Sequence, residues 1–215
     1  MALTFAALLT EFYARGFDYL NDSGAGEIRA KRWINDAYHT INELENWPFL
    51  EETASGAAPL TIADLRTVDS VYDSTNDQKL DHRVSSELVD EHGDLGETGV
   101  ASEFWVSGGN TINVFPVQAV QLTVRYWKVA DDLVSGTDEP LIPDRFRYGI
   151  VEYAVAAAMR DAQDPDSVIA QAAGDLVLAK MRAWASMLTP DATYVPLIGD
   201  ESSLRCSSGW KGNLA

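Results

Sequence analysis

The sequence predicts an α+β protein: a discontinuous four-helix bundle, an inserted antiparallel β domain and an extended C-terminal arm. Three observations predict it. Apolar residues recur at helical spacing in two segments before residue 48 and in two after residue 143. Between them, the chain changes to short β-prone runs separated by turn residues. The last stretch has little periodicity and many serines and glycines. Neither helical pair alone presents a closed core, so residues 1–48 and 132–190 are assigned together to the bundle, 49–131 to the insertion and 191–215 to the arm.

The first helix is expected from Leu3 to about Tyr19, with Phe5, Leu8, Leu9, Phe12 and Tyr13 on a broad apolar face, and Asn21-Asp22-Ser23-Gly24 stops it. A second begins near Gly26-Glu27. It shows Ala30, Trp33, Ile34, Ala37, Tyr38, Ile41 and Leu44 on one face and Glu27, Lys31, Asn35, Asn42 and Glu45 on the other. Pro48 lacks an amide proton and disfavours helical geometry at Trp47, which ends the helix. Strands are expected at Leu60-Thr61-Ile62, Thr67 to Tyr72, Lys79 to Val84, Phe104 to Val106, Thr111 to Phe115 and Val120 to Val129, with a helical turn at Ser86 to Glu91. In the last of these, Val120, Leu122, Val124 and Tyr126 alternate with Gln121, Thr123 and Arg125, so one face is buried and one wet.

A loop, DDLVSGTDEPLIPD, leads to Pro143, a favourable first helical residue, and a helix from Asp144 to about Ala162. Ile150, Tyr153, Ala154, Ala157 and Ala158 line one side, and the alanine run lets a partner helix approach closely. Asp164-Pro165-Asp166 starts the final helix, in which Ile169, Ala172, Leu176, Ala179, Ala183 and Met187 repeat at helical spacing until Thr189-Pro190 closes it.

Acidic residues outnumber basic ones 33 to 16, a formal charge of −17 that repels phosphate and disfavours electrostatic nucleic-acid binding. Cys206 is the only cysteine, so no intramolecular disulfide forms and a reducing compartment fits. Glu11, Arg15 and Asp18 interrupt the apolar start of the chain well before membrane-spanning length, which reads as a soluble, intracellular protein without a membrane anchor.

Few residues carry a chemical signature. Gly108-Gly109 lies between two strand-like runs rather than between a strand and a helix, and no Gly-Lys-Ser/Thr follows, so it reads as a hairpin bend and not a phosphate loop. His82 and His92 lie near Asp81, Asp90, Glu91 and Asp94 without metal-ligand spacing. Asp73 to Asp77 lacks the ligand pattern of a calcium loop and reads as a polar hairpin tip. His39 sits mid-helix, and Cys206 has no motif around it. No catalytic, cofactor-binding or metal-binding residue is assigned, and no cofactor is expected. Five of the six tryptophans, Trp33, Trp47, Trp105, Trp127 and Trp184, suit cores; Trp210, in the arm, suits an anchor in a partner's pocket.

The pattern resembles the head-to-tail adaptor, or connector, proteins of tailed bacteriophages. The resemblance rests on Trp33-Ile34-Asn35-Asp36-Ala37-Tyr38 with Ile41 and Trp47-Pro48, on Val114-Phe115-Pro116, and on Val124-Arg125-Tyr126. It continues through Asp138-Glu139-Pro140-Leu141-Ile142-Pro143 and Ile150-Val151-Glu152-Tyr153-Ala154, spanning most of residues 1–190. It implies a structural, non-enzymatic virion protein, made in the host cytoplasm, that forms a ring, typically dodecameric, between portal and tail. Genomic DNA passes through such a ring without specific binding. The implied partners are the portal protein, a downstream tail or nozzle protein, and further copies of the chain. The arm corresponds in position to segments that reach the portal, which makes Leu204, Trp210, Lys211 and Leu214 its candidate interface. Twelve copies carry a charge of roughly −200, and an acidic bore limits adhesion of DNA. Alternatives are another neck or tail-tube component, an acidic carbohydrate-binding or hydrolytic module, and a metal-stabilised β module using His82 and His92.

Overall fold

The computed structural model describes residues 3–21 and 24–188, so the expected arm lies outside the described residues. Its elements run α1 (Phe5–Phe12), α2 (Gly24–Leu44), β1 (Glu51–Ala57), β2 (Leu60–Thr61), β3 (Leu65–Asp73), β4 (Gln78–His82), α3 (Ser85–His92), β5 (Glu103–Ser107), β6 (Thr111–Phe115), β7 (Gln121–Lys128), α4 (Tyr148–Asp161) and α5 (Ser167–Leu188). The protein is a mixed α+β fold.

The helix expected to reach Tyr19 breaks earlier. The chain widens through Tyr13–Phe17, takes φ 100° at Gly16 and makes one tight turn at Asp18–Leu20. The break folds Phe17 back onto Phe12, with ring centroids 4.8 Å apart, so the apolar face stays buried although the helix does not continue. Among the helices α4 is central. Its residues are buried on nearly all sides because α1, α2 and α5 each pack against it. Between α4 and α5 the approach is close at Gly174, where an added Cβ would stand 2.9 Å from the Tyr153 ring. Trp47 closes one end of this core, fully buried, with its indole N–H donating to the Ile41 carbonyl at 2.7 Å.

The face expected on α2 is corrected at two positions. Leu44 is half exposed, whereas Asn42, expected on the polar side, is only 2% exposed. The reason is tertiary. The segment after β7 lies over a second side of α2, where the Asn35 amide both donates to and accepts from the Leu133 backbone at 3.0 and 2.8 Å.

The seven strands form one sheet in the order β1-β7-β3-β4-β5-β6-β2. Its neighbours are antiparallel except β4 and β5, which pair in parallel at Asp81↔Glu103 and His82↔Phe104, so the expected antiparallel insertion is in fact mixed. A parallel pair needs a crossover, and α3 with the segment after it supplies one. β1 was not expected. Its sequence, EETASGA, has no buried residue and therefore no alternating signal, yet it pairs with β7 over seven positions. β1 and β2 stand at opposite edges of the sheet but are joined only by Ala58 and Pro59, a reach of roughly 10 Å. The sheet must therefore curl until its edges meet. Val71, Leu80, Phe104, Ile112, Leu122 and Val124 fill the curl as a core separate from that of the helices.

Arg66 of β3 links the two cores. Its guanidinium donates to the carbonyls of Asn42, Glu43 and Glu45 at 2.5, 2.7 and 3.1 Å, capping the C-terminal end of α2 from the sheet.

Candidate assembly surfaces

Residues with chemical potential are scattered. Gly108 and Gly109 take φ of 60° and 80° between β5 and β6, the left-handed backbone that a tight hairpin turn requires, so this stretch is a bend. His82 packs against Phe104 at 5.1 Å and His92 against Phe115 at 4.6 Å. Among the described residues no group of three or more His, Cys, Asp or Glu is placed to hold a metal ion. The Asp73 carboxylate accepts from the backbone N–H groups of Thr75 and Asn76 and from the Asn76 amide, organising the turn between β3 and β4. His39 meets Asp132 at 2.6 Å on the surface of α2. Cys206 and the interface candidates Leu204, Trp210, Lys211 and Leu214 lie outside the described residues. No described helix is long and apolar enough to cross a membrane.

Two surfaces stand out instead. The first is the segment from Asp131 to Asp144, which holds five acids and no base. It is rigidly anchored. The Phe5 and Ala6 N–H groups donate to Asp138 and Gly136, and the Asp138 carboxylate closes a turn on the Val134 and Ser135 N–H groups at 2.8 and 2.7 Å. Tyr38 Oη accepts from the Leu141 N–H at 3.1 Å. At the end of the segment Arg147 is 7% exposed, and its guanidinium donates to the carbonyls of Ile142, Pro140 and Leu3 and pairs with Asp144 at 2.6 Å.

The field around this segment is negative. A hydrogen bond to Glu52, helped by the charges of Asp64 and Asp131, holds the Lys128 ammonium above the usual lysine range. Burial and the nearby Asp64 and Glu52 push the Tyr126 phenol up to about 12. Within this acidic ground Val134 is 77% exposed and Leu141 is partly so.

The second surface is α5. Ala170, Gly174, Leu178 and Met181 face α4, while the repeat Ile169, Ala172, Leu176, Ala179, Ala183 and Met187 faces outward. At about 100° per residue the two sets lie on opposite sides of the helix. Ile169, Leu176 and Met187 are 69%, 59% and 78% exposed. Lys180 lies beside the outward stripe and has no ion-pair partner among the described residues, whereas Arg182, on the flank, pairs with Glu45.

Sequence reasoning missed Arg66, whose partners are backbone carbonyls of α2, and Arg147, which joins the carbonyls of Pro140 and Ile142 to that of Leu3 at the far end of the chain. It also could not tell which of two apolar sides of α5 is packed. No curated protein matches the chain. A family profile described as SU10 adaptor protein matches residues 4–199, which covers every described helix and strand. This chain therefore belongs to the SU10 adaptor protein family, a family of phage head-to-tail adaptors.

Proposed function

We propose that this protein is a virion structural adaptor of the phage neck that forms a ring between portal and tail, extends the DNA channel and performs no catalysis. The family match over residues 4–199 carries the reading. The architecture supports it. The helices α1, α2, α4 and α5 act as the bundle, residues 1–48 and 132–190, and residues 49–131 form the β insertion. A closed ring of identical subunits needs two unlike patches on each copy, which an apolar helix face and an acidic segment supply. Copies number twelve in this reading. A net charge of −17 per copy keeps DNA from adhering as it passes. The arm, 191–215, docks on the portal through Leu204, Trp210, Lys211 and Leu214, and a nozzle or tail protein binds the far side. The protein is made in the host cytoplasm and ends in the virion.

Mixing purified protein with portal rings and, separately, with downstream tail parts tests this. Co-sedimentation with the portal is expected, and removal of residues 191–215 weakens it while the helices stay folded. Binding only to tail parts moves the protein lower in the neck. Turnover of a glycan by the isolated chain overturns the reading.

A further inference from the structure

We propose that the outward stripe of α5 is a docking surface for a second copy of this chain, and that it mates with the acidic segment between Asp131 and Leu141 of that copy. The inference rests on the ring reading and names its contact.

Charge selects the pairing. Copies of a −17 protein repel one another, so a contact between them has to form where the local balance differs. On α5 Asp175 and Arg182 lie on the flank, where Arg182 is paired with Glu45, so Lys180 is the one charge beside the stripe and makes it locally positive. The segment 131–141 carries Asp131, Asp132, Asp138 and Glu139 with no base. Shape and polarity agree with this. Ile169, Leu176 and Met187 form an apolar ridge flanked by Lys180, which has no ion-pair partner among the described residues, and Val134 and Leu141 stand as apolar points within the acidic ground. Within one copy the stripe faces away from α4, on which α5 packs, and residues 131–141 are tied to α1 and α2, so the two patches are held on separate elements. The contact therefore joins unlike patches of different copies, the kind that propagates around a ring.

Size sets its strength. From Ile169 to Met187 the stripe runs about 27 Å, and at a helix width of about 10 Å it covers roughly 270 Å². That is a third of the roughly 800 Å² per partner of a standard stable interface. A single pair is then weak, and the contact holds when every copy makes it twice in a closed ring.

Sedimentation velocity from dilute to near-millimolar protein, alone and with portal rings, reads the contact. Ile169→Asp and Leu176→Asp are expected to weaken self-association about tenfold or more, and Val134→Lys to do the same from the other patch. Ile28→Asp, at an exposed residue of α2 outside both patches, leaves association unchanged. The thermal midpoint of the monomer stays within about 2 °C in all four, because the replaced side chains are exposed. Stripe variants that associate like the wild type overturn this contact and leave the ring reading standing. Wild-type protein that never associates, even on the portal, overturns both. A marked loss of monomer stability in Ile169→Asp or Leu176→Asp shows the stripe covered by residues 189–215 of the same chain, which also overturns the contact.

Discussion

Replacing Arg147 with methionine tests how the N-terminal segment, the acidic segment and α4 are held together. Methionine keeps an unbranched apolar stem and removes only the fork of donors. That fork reaches Ile142 and Pro140 at 2.9 Å each and Leu3 at 3.1 Å, with Asp144 at 2.6 Å and Glu139 at 3.4 Å. The Asp144 and Glu139 side chains are mostly exposed, and losing such partners costs about 0–1 kcal/mol because water replaces them. The carbonyls of Pro140 and Ile142 belong to buried residues, and stranding each costs about 1–2 kcal/mol. Leu3 is nearer the surface and recovers a water partner. The sum is a loss of about 2–4 kcal/mol, equivalent to a drop of roughly 5–15 °C in thermal midpoint. Urea unfolding followed by tryptophan fluorescence reads it as a lower midpoint at constant slope. Arg147→Lys should recover only part of the loss, because donors on one nitrogen cannot span carbonyls that are reached from Nε, Nη1 and Nη2 of the guanidinium. A loss under about 1 kcal/mol for the methionine variant would refute the argument, since water would then reach all three carbonyls.

Other outcomes follow from the same structure. Arg66→Gln should leave both cores packed but uncap α2, so amide exchange in its last turn should quicken with a stability loss of about 1–2 kcal/mol, and unchanged exchange there would contradict the cap. Gly174→Leu drives a side chain into the Tyr153 ring and should cost about 1–2 kcal/mol net of the gain in helix propensity; a neutral variant would mean α5 can shift off α4 freely. Tyr126, buried and bonded to Asp64, has its phenol pushed up to about 12, so the stability it contributes is complete below pH 10 and is lost as pH rises through 12. Tyr126→Phe should unfold with a shallower alkaline slope between pH 10 and 12, by one proton; an identical slope would assign the effect to other groups.

Much of the fold was legible because local physics wrote it into neighbouring residues. The alternation from Val120 to Tyr126 matches burial on one face of β7, and the Gly108-Gly109 bend follows from the backbone angles a hairpin needs. The family resemblance was legible too. What was not legible depends on partners distant in the chain. β1 is an edge strand that buries no side chain, so only the ladder offered by β7 reveals it. The break after α1 is the local exception: it turns on the positive φ of Gly16, which returns Phe17 to Phe12.

By itself the sequence determined the alternation of helical and strand-forming regions, the strong negative charge, and the apolar repeat along α5, because each is a property of adjacent residues and their spacing. Only the tertiary structure decided that the repeat on α5 faces outward, that β4 and β5 run in parallel, and that Asn42 is buried while Leu44 is not. A helix with two apolar sides carries no internal mark of which one its neighbour will cover. That choice belongs to α4, whose packing against Ala170, Gly174, Leu178 and Met181 leaves Ile169, Leu176 and Met187 facing away from it.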